Sequence, residues 1–223
     1  MKVIVIGNSE YAQLVYGYVS EDETIDVVAF SVEKEYININ EINGLPVIAY
    51  EDIEQYYGIE QVKLVLAIGY AKMGKIREKL FSLYSDKGYE FINYIHPTAI
   101  IPKDLVIGVG NIIMEGAIIS RQCKIGNANI IGAGMMMGHD NQIGNFNSLT
   151  SAKTCGFVTI KNNCFLGANA TIRDGVIINS FSLVGALSYV DKNLAENALV
   201  SPAKSTVTYT KIECLSYLLQ NHY

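Results

Sequence analysis

The sequence is poor in the residues on which many binding and catalytic sites depend. Of its 223 residues only three are histidine and four are cysteine, and its formal net charge is −5. It has no run of lysines and arginines, which argues against a nucleic-acid-binding surface. The cysteines form no C-x-x-C pair, so we predict neither a zinc site nor a redox pair.

Long apolar runs are also missing. None approaches the roughly 20 residues that a membrane-spanning helix needs, so we expect no membrane partner. The first residues, MKVIVIG, are too short for the core of a secretory signal. Because a disulfide framework is uncommon in a chain this long and apolar, we expect reduced thiols and a cytoplasmic location.

The charged residues divide the chain into two parts. They are frequent up to residues 94–97 and sparse after them. In the first part three apolar runs typical of buried strands, KVIVIG, IDVVAFS and VKLVLAIG, alternate with segments whose apolar residues have helical spacing. The first of these helical segments begins after Ser9, which is suited to be its N-cap. This alternation predicts a small βαβ domain with a parallel sheet, ending in a strand at EFINYI.

In the second part an apolar residue recurs every six positions. The phase holds from Ile101 to Cys155, slips by one residue, and resumes from Ile160 to Val190. A helix cannot keep this period on one face, whereas each hexad of a parallel β-helix supplies one short strand and one corner. We therefore predict about five coils, one inward side chain per hexad including Cys155, and glycines at corners of positive φ.

The segment MMMGHDNQIG places His139 and Asp140 at one predicted corner. A neutral imidazole accepts a proton near pH 7, and a neighbouring carboxylate can keep its other ring nitrogen protonated. These residues therefore suggest a general base. A solvated turn histidine without chemistry is the alternative that the residues alone leave open.

Several segments resemble the hexapeptide-repeat acyltransferases, and the whole chain resembles the NeuD/PglD-like sugar acetyltransferases. The segments are VIVIGNSEYAQLV, INGLPVIAYEDI, LAIGYAKMGKIREKL, GHDNQIG and VSPAKS. The resemblance implies a Rossmann-like domain at 1–95, a left-handed parallel β-helix at 96–200 and a C-terminal tail at 201–223. It also implies a homotrimer with acetyl-CoA between adjacent β-helices and active sites between subunits.

The same resemblance implies roles for individual residues. His139 matches the general base, Asp140 its acidic partner, and Gly156 the glycine whose N–H binds the oxyanion. The positions that match acetyl-CoA contacts are Ser148, Ala168, Ala186 and Lys204. Those that match the nucleotide-sugar side are Gly7, Ser9, Glu10, Tyr11, Ser31 and Gly69. A lone strand–Gly–helix is weak support for a dinucleotide site, so NAD is not predicted.

The implied activity is direct N-acetylation of a nucleotide-linked amino sugar for surface glycans, with acetyl-CoA as co-substrate and no metal. Two alternatives stay open: O-acetylation of a sialic acid or related sugar, and a non-catalytic trimeric scaffold. A zinc enzyme resembling the gamma carbonic anhydrases would need three placed histidines, whereas His96 and His222 lie outside the repeats around His139. The tail could form a short amphipathic helix with Ile212, Leu215 and Leu219 on one side.

Overall fold

The chain begins with a five-stranded sheet and three helices. The computed structural model describes residues 1–205, so the predicted helix around Ile212 lies outside the described residues. The strands are β1 (Lys2–Ile6), β2 (Asp26–Val32), β3 (Glu41–Ile42), β4 (Leu45–Ala49) and β5 (Lys63–Leu66). The helices are α1 (Glu10–Ser20), α2 (Ile53–Tyr56) and α3 (Lys75–Asp86).

The strand order is β3-β4-β2-β1-β5, so the apolar strand β1 lies inside the sheet, between β2 and β5. All pairs are parallel except β3 with β4. Residues 3–6 of β1 are completely buried, as the continuous apolar run predicts for a strand covered on both faces. Since β2 and β5 lie on opposite sides of β1, the chain reverses direction across the sheet at β1, where open α/β sheets place ligands.

Helix α1 begins as the sequence predicts. The hydroxyl of Ser9 accepts a hydrogen bond from the N–H of Ala12 at 3.3 Å, and Ala12, Val15 and Val19 are buried. Two expectations for this part are wrong in detail: a helix directly after the short strand in LPVIAYEDIEQYY, and a single last strand at EFINYI. The helix after β4 is a 3-10 turn followed by the single turn of α2. The segment EFINYI is not one strand, because Phe91 bridges to β5 whereas Tyr94–Ile95 pairs with the next part of the chain.

From Tyr94 onward the chain forms three stacked parallel sheets, which we call faces I, II and III. Each face is followed by the next along the chain, as in a parallel β-helix, and the arrangement fits the left-handed form. Face I contains Tyr94–Ile95, Ile112–Ile113, Ile130–Ile131, Ser148–Leu149, Phe165–Leu166, Leu183–Val184 and Leu199–Val200. Face II contains Ile118–Ile119, Met136–Met137, Lys153–Thr154, Thr171–Ile172 and Tyr189–Val190. Face III contains Val106–Ile107, Lys124–Ile125, Gln142–Ile143, Thr159–Ile160 and Ile177–Ile178.

The axis of the β-helix is filled by two side chains from most hexads, not one. The predicted apolar residue is buried and so is the residue two positions earlier, as for Met135 and Met137. At two of the hexads where the earlier residue is asparagine, the side chains pair between neighbouring coils. Asn129 Nδ2 donates to Asn111 Oδ1 at 3.0 Å, so this buried amide is satisfied.

The slip in the hexad phase lies earlier than predicted. Thr154 points inward and is buried, whereas Cys155 is exposed. Face II pairs Met137 with Thr154, a step of one residue less than the usual 18. The short step therefore falls between Leu149 and Lys153, at the edge between faces I and II. The inward assignment of Cys155 was wrong because periodicity alone cannot place a five-residue step.

The repeated glycines are required for close approach of neighbouring coils, not for a positive φ as predicted. The β-carbon that a side chain would add at Gly126 would lie 2.7 Å from the carbonyl oxygen of Gly144 in the next coil. The positive φ values occur two residues after these glycines, and non-glycine residues adopt many of them, including Asp140 (φ 56°) and Phe146 (φ 61°). The corner residue with the left-handed backbone conformation thus recurs at the same position of successive hexads.

Within residues 1–205 no helix combines the length and apolar character needed to cross a membrane.

The tight stacking predicts a large effect of Gly126→Ala. The added methyl group overlaps the next coil, and overpacking of this kind costs about 1–3 kcal/mol. We expect a lower urea midpoint than for the unsubstituted protein, measured by circular dichroism at equal protein concentration.

The matched control is Gly17→Ala in α1, where no atom lies within 4 Å of the added carbon. Alanine is the better helix former by about 1 kcal/mol, so this variant should be as stable as the parent or more stable. Equal losses in both variants would contradict the stacking argument.

Candidate active site

His139 and Asp140 form a hydrogen-bonded pair at a corner between faces II and III. His139 Nδ1 lies 2.8 Å from Asp140 Oδ2. Consecutive residues of a strand point apart, but the left-handed φ of Asp140 brings its carboxylate to the imidazole. Because a carboxylate accepts but does not donate, the proton of a neutral ring lies on Nδ1. Nε2 is then the free basic nitrogen, and it has no hydrogen-bond partner among the described residues.

Gly156 occupies the same corner one coil further along. A β-carbon at this position would lie 2.8 Å from His139 Nε2 and 3.0 Å from Asp174 Oδ1. The imidazole also contacts Phe157 edge to face, with ring centroids 5.1 Å apart. Glycine therefore keeps open the space in front of the basic nitrogen, as the predicted role of Gly156 requires.

The backbone N–H groups at the corners differ between the edges of the β-helix. On the edge between faces III and I they are capped by side chains of the next coil: the amide of Asn127 donates to Asn145 Oδ1 at 2.7 Å, and that of Asn145 to Asn162 Oδ1 at 2.8 Å. Within residues 1–205 the amides of His139 and Gly156 have no acceptor. A free N–H at Gly156 is the donor that an oxyanion needs.

Two of the predicted acetyl-CoA positions lie together on the edge between faces I and II. Ala168 and Ala186 are exposed and one coil apart, with Leu187 N–H donating to Ala168 O at 2.9 Å. Their own N–H groups have no acceptor in the described part of the chain. Small side chains and free amides suit a ligand that runs along the backbone. Lys204 is exposed beyond the last strand.

Ser148 is in a different environment from the other predicted acetyl-CoA positions. Its side chain is buried on face I, and its hydroxyl accepts a hydrogen bond from Arg77 Nη2 at 2.9 Å. The structure therefore does not bring Ser148 to the edge that carries Ala168 and Ala186.

A cleft of about 600 Å³ lies at the carboxyl ends of β1, β2 and β5. Of the six predicted nucleotide-sugar positions, Gly7, Ser9 and Gly69 line it. The other three do not: Glu10 is exposed on α1, Tyr11 buries its hydroxyl, and the hydroxyl of Ser31 donates to Ile48 O at 3.0 Å.

Several residues of this cleft were not predicted. Three lysines, Lys72, Lys75 and Lys79, lie along one side, which gives the cleft cationic groups that suit a phosphate. Lys79 is paired with Glu33 at 2.7 Å, and Lys75 Nζ lies 4.9 Å from the ring centroid of Phe181. The segment LAIGYAKMGKIREKL could have indicated them, because it runs from the end of β5 (Leu66) through a 3-10 turn that contains Lys72 into α3, which begins at Lys75.

Arg77 joins the cleft to the β-helix. Its guanidinium is 1% exposed and donates to the carbonyl oxygens of Gly69 (2.8 Å) and Phe146 (2.6 Å), among five acceptors in total. Burial lowers its pKa to about 10, which the nearby Tyr11 opposes, so it stays cationic at neutral pH. Among residues 1–205 no carboxylate pairs with it; backbone oxygens from both parts of the chain and the hydroxyl of Ser148 accept its hydrogen bonds in place of water.

The residues that carry each predicted role therefore lie in three places. The cleft rests against face I, the acetyl-CoA positions follow the I–II edge, and the His139 pair lies on the II–III edge. Among residues 1–205 no group of three or more His, Cys, Asp or Glu side chains could hold a metal ion.

No protein-family model matches the sequence, and a search of curated protein sequences finds no match. Solved structures do match. PerB from Caulobacter crescentus, in complex with CoA and GDP-perosamine, is 27% identical with a TM-score of 0.80, over 89% of this chain and 93% of PerB. A histidine-to-asparagine variant of the perosamine N-acetyltransferase from Caulobacter crescentus, with the same two ligands, is 25% identical with a TM-score of 0.73, over 89% and 92%.

The acetyltransferase domain of PglB from Neisseria gonorrhoeae shares the fold, with a TM-score of 0.81 at 21% identity over 89% of this chain and 95% of that domain. These neighbours are sugar N-acetyltransferases of the hexapeptide-repeat, NeuD/PglD-like group. The resemblance predicted from the sequence is thereby confirmed.

The position of Arg77 predicts that Arg77→Met is strongly destabilising. The substitution leaves buried carbonyl oxygens without a donor, and losing a buried charged hydrogen-bond network costs about 3 kcal/mol. Thermal unfolding should show a clear drop in midpoint.

Lys79→Met on the same helix is the control, because Lys79 forms only an exposed ion pair with Glu33. Its midpoint should be unchanged. If Arg77→Met were as stable as Lys79→Met, the argument for Arg77 as the link between cleft and β-helix would be wrong.

Proposed function

We propose that the protein transfers the acetyl group of acetyl-CoA to the amino group of a nucleotide-linked sugar. The observation that carries this proposal is the match, over nearly the whole length of both chains, to PerB with CoA and GDP-perosamine bound. The geometry at His139 agrees with it, because the imidazole has a free nitrogen, and the adjacent Gly156 has a backbone N–H without an acceptor within residues 1–205.

In this mechanism His139 is the general base. Its Nε2 accepts a proton from the attacking amine, while Asp140 holds Nδ1–H and stabilises the imidazolium that forms. The N–H of Gly156 donates to the carbonyl oxygen as negative charge develops there. The chain needs no nucleophile of its own. Cys155 is exposed, but transfer directly to the amine does not involve it.

The first 95 residues form, in our proposal, a Rossmann-like nucleotide-sugar domain. The cleft lies at the point where the strand order reverses, and the start of α1 and the three lysines give it donors for a diphosphate. Residues 96–200 form the left-handed β-helix acyltransferase domain, followed by the tail at 201–223. The acetyl-CoA site would follow the free amides of Ala168 and Ala186.

We further propose that the active site is completed between subunits of a homotrimer. Support comes from the three-sided cross-section: the acetyl-CoA edge and the His139 edge border face II on opposite sides. Face II also exposes large side chains, with Met136 46% and Tyr189 62% exposed. Packing of neighbouring copies beside face II would bring one chain's Ala168 edge to another's His139 edge. The cytoplasmic location stays a prediction from the sequence.

The proposed base predicts a large loss of activity in His139→Asn. Removing a general base lowers the rate by about 100-fold or more. The measurement is thiol release from acetyl-CoA, with a panel of nucleotide-linked amino sugars that includes GDP-perosamine, and with sialic acids as hydroxyl acceptors.

A normal rate in His139→Asn would refute the catalytic role. Turnover of hydroxyl acceptors alone would refute N-acetylation. If the unsubstituted protein neither binds acetyl-CoA nor releases thiol, the non-catalytic scaffold is the better description.

The cleft predicts a selective effect of Lys75→Glu. Reversing this charge beside a nucleotide diphosphate should raise the KM for the amino-sugar substrate by about 10-fold or more, because about 1.4 kcal/mol corresponds to each factor of ten. The KM for acetyl-CoA should be unchanged.

Lys124→Glu is the control, since Lys124 is exposed on face III and does not line the cleft. An equal rise in both KM values for Lys75→Glu, or the same effect from Lys124→Glu, would argue against the cleft as the sugar site.

A further inference from the structure

The mechanism above leaves one carboxylate beside His139 without a role. Asp174 lies on the II–III edge, one coil beyond Gly156 and two beyond His139. Its Oδ1 lies 3.0 Å from the point where a β-carbon of Gly156 would be, and His139 Nε2 lies 2.8 Å from the same point. The carboxylate and the basic nitrogen therefore converge on the space that the glycine leaves open.

Asp174 is not needed to orient the imidazole. That task belongs to Asp140, which takes Nδ1 on the far side of the ring at 2.8 Å. Asp174 also has no hydrogen bond or ion pair with any described residue. The exposed carboxylate of Asp174 faces the basic nitrogen of His139 across an open gap, so it can contact a substrate group that binds between them.

We infer that Asp174 binds the amino group of the acceptor sugar and makes the site selective for amines over hydroxyls. This inference rests on the proposed function and names a specificity-determining residue for it. A primary amine is largely protonated at neutral pH, so a carboxylate attracts it, whereas a hydroxyl in the same place is neutral. Charged hydrogen bonds of this kind are roughly twice as strong as neutral ones.

The Asp174 carboxylate also stabilises the positive charge that develops on the attacking nitrogen. The bound ammonium first loses one proton to solvent, and the neutral amine attacks the thioester carbonyl carbon. A C–N bond forms and the nitrogen becomes positively charged, next to Asp174. His139 Nε2 then takes the second proton from nitrogen. When the C–S bond breaks, the imidazolium returns that proton to the departing thiolate, so the products are the amide, free CoA and the one proton released to solvent.

Attack by a hydroxyl would not benefit in the same way. Its oxygen loses its only proton to His139 as it attacks, and no persistent positive charge develops beside Asp174. A second carboxylate near a partly anionic oxygen would oppose this reaction. The same residue thus distinguishes the N-acetylation proposal from its O-acetylation alternative.

The test is Asp174→Asn, which keeps the shape of the side chain and removes its charge. With the amino sugar that the unsubstituted protein acetylates, we expect kcat/KM to fall by about 10-fold or more, the effect of a charged hydrogen bond. The corresponding nucleotide sugar with a hydroxyl in place of the amine serves as a competitive inhibitor. Its inhibition constant should change less than about threefold, and so should the KM for acetyl-CoA.

Asp191→Asn is the matched control, because Asp191 is an exposed aspartate on the same edge in the following coil. It should leave all three constants unchanged. Equal changes for the amine and the hydroxyl compound in Asp174→Asn, or an equal effect of Asp191→Asn, would overturn the inference.

Failure of the inference and failure of the proposed function give different results. If His139→Asn is inactive and Asp174→Asn retains normal kcat/KM for the amine, the acetyltransferase proposal stands and the role of Asp174 is refuted. If the unsubstituted protein acetylates no amine in the panel, both are refuted together.

Discussion

The close stacking of successive coils is the constraint on which the β-helix and its candidate site depend. Neighbouring parallel strands lie about 4.8 Å apart, and at several positions that follow an inward residue, such as Gly126, the backbone of the next coil leaves no room for a β-carbon. Glycine is therefore repeated there, and the chain turns at a left-handed residue two positions later. Asp140 is one of these left-handed residues, and its φ of 56° directs its carboxylate to His139. The proposed catalytic pair thus uses a corner geometry that the fold repeats throughout.

The same corners explain why ligands are expected on two edges and not on the third. Where asparagines follow one another, as at Asn127 and Asn145, each side chain caps the amide of the coil before it. The backbone amides at the capped positions of this edge are therefore not free to bind a ligand. On the other two edges the amides of His139, Gly156, Ala168 and Ala186 have no such cap and stay free within the described residues. The choice of residue at one corner position therefore separates structural edges from binding edges.

The sequence predicts the parts of the molecule that repeat and misses those that depend on a single contact. The six-residue period correctly predicted the β-helix, and MMMGHDNQIG correctly placed His139 beside Asp140 at a corner; the catalytic role stays a prediction. The period could not distinguish Thr154 from Cys155 as the inward residue, because both fit a phase that slips once. In the sequence Arg77 looks like any charged residue of a helix, because it is buried only by the packing of α3 on face I. Asp174 was missed because His139, the residue that it faces, lies two coils away along the β-helix.

The three-sided cross-section has a consequence for the chemistry as well as for packing. In a triangular prism the edge between faces II and III lies opposite face I, and face I is where the nucleotide-sugar cleft is attached through Arg77. A sugar held in the cleft therefore lies on the other side of the prism from His139 of the same chain. If the proposed reaction is correct, the base and the acceptor must come from different copies. Assembly would then be required for catalysis itself, and a monomer that folds normally and binds both substrates would still be inactive.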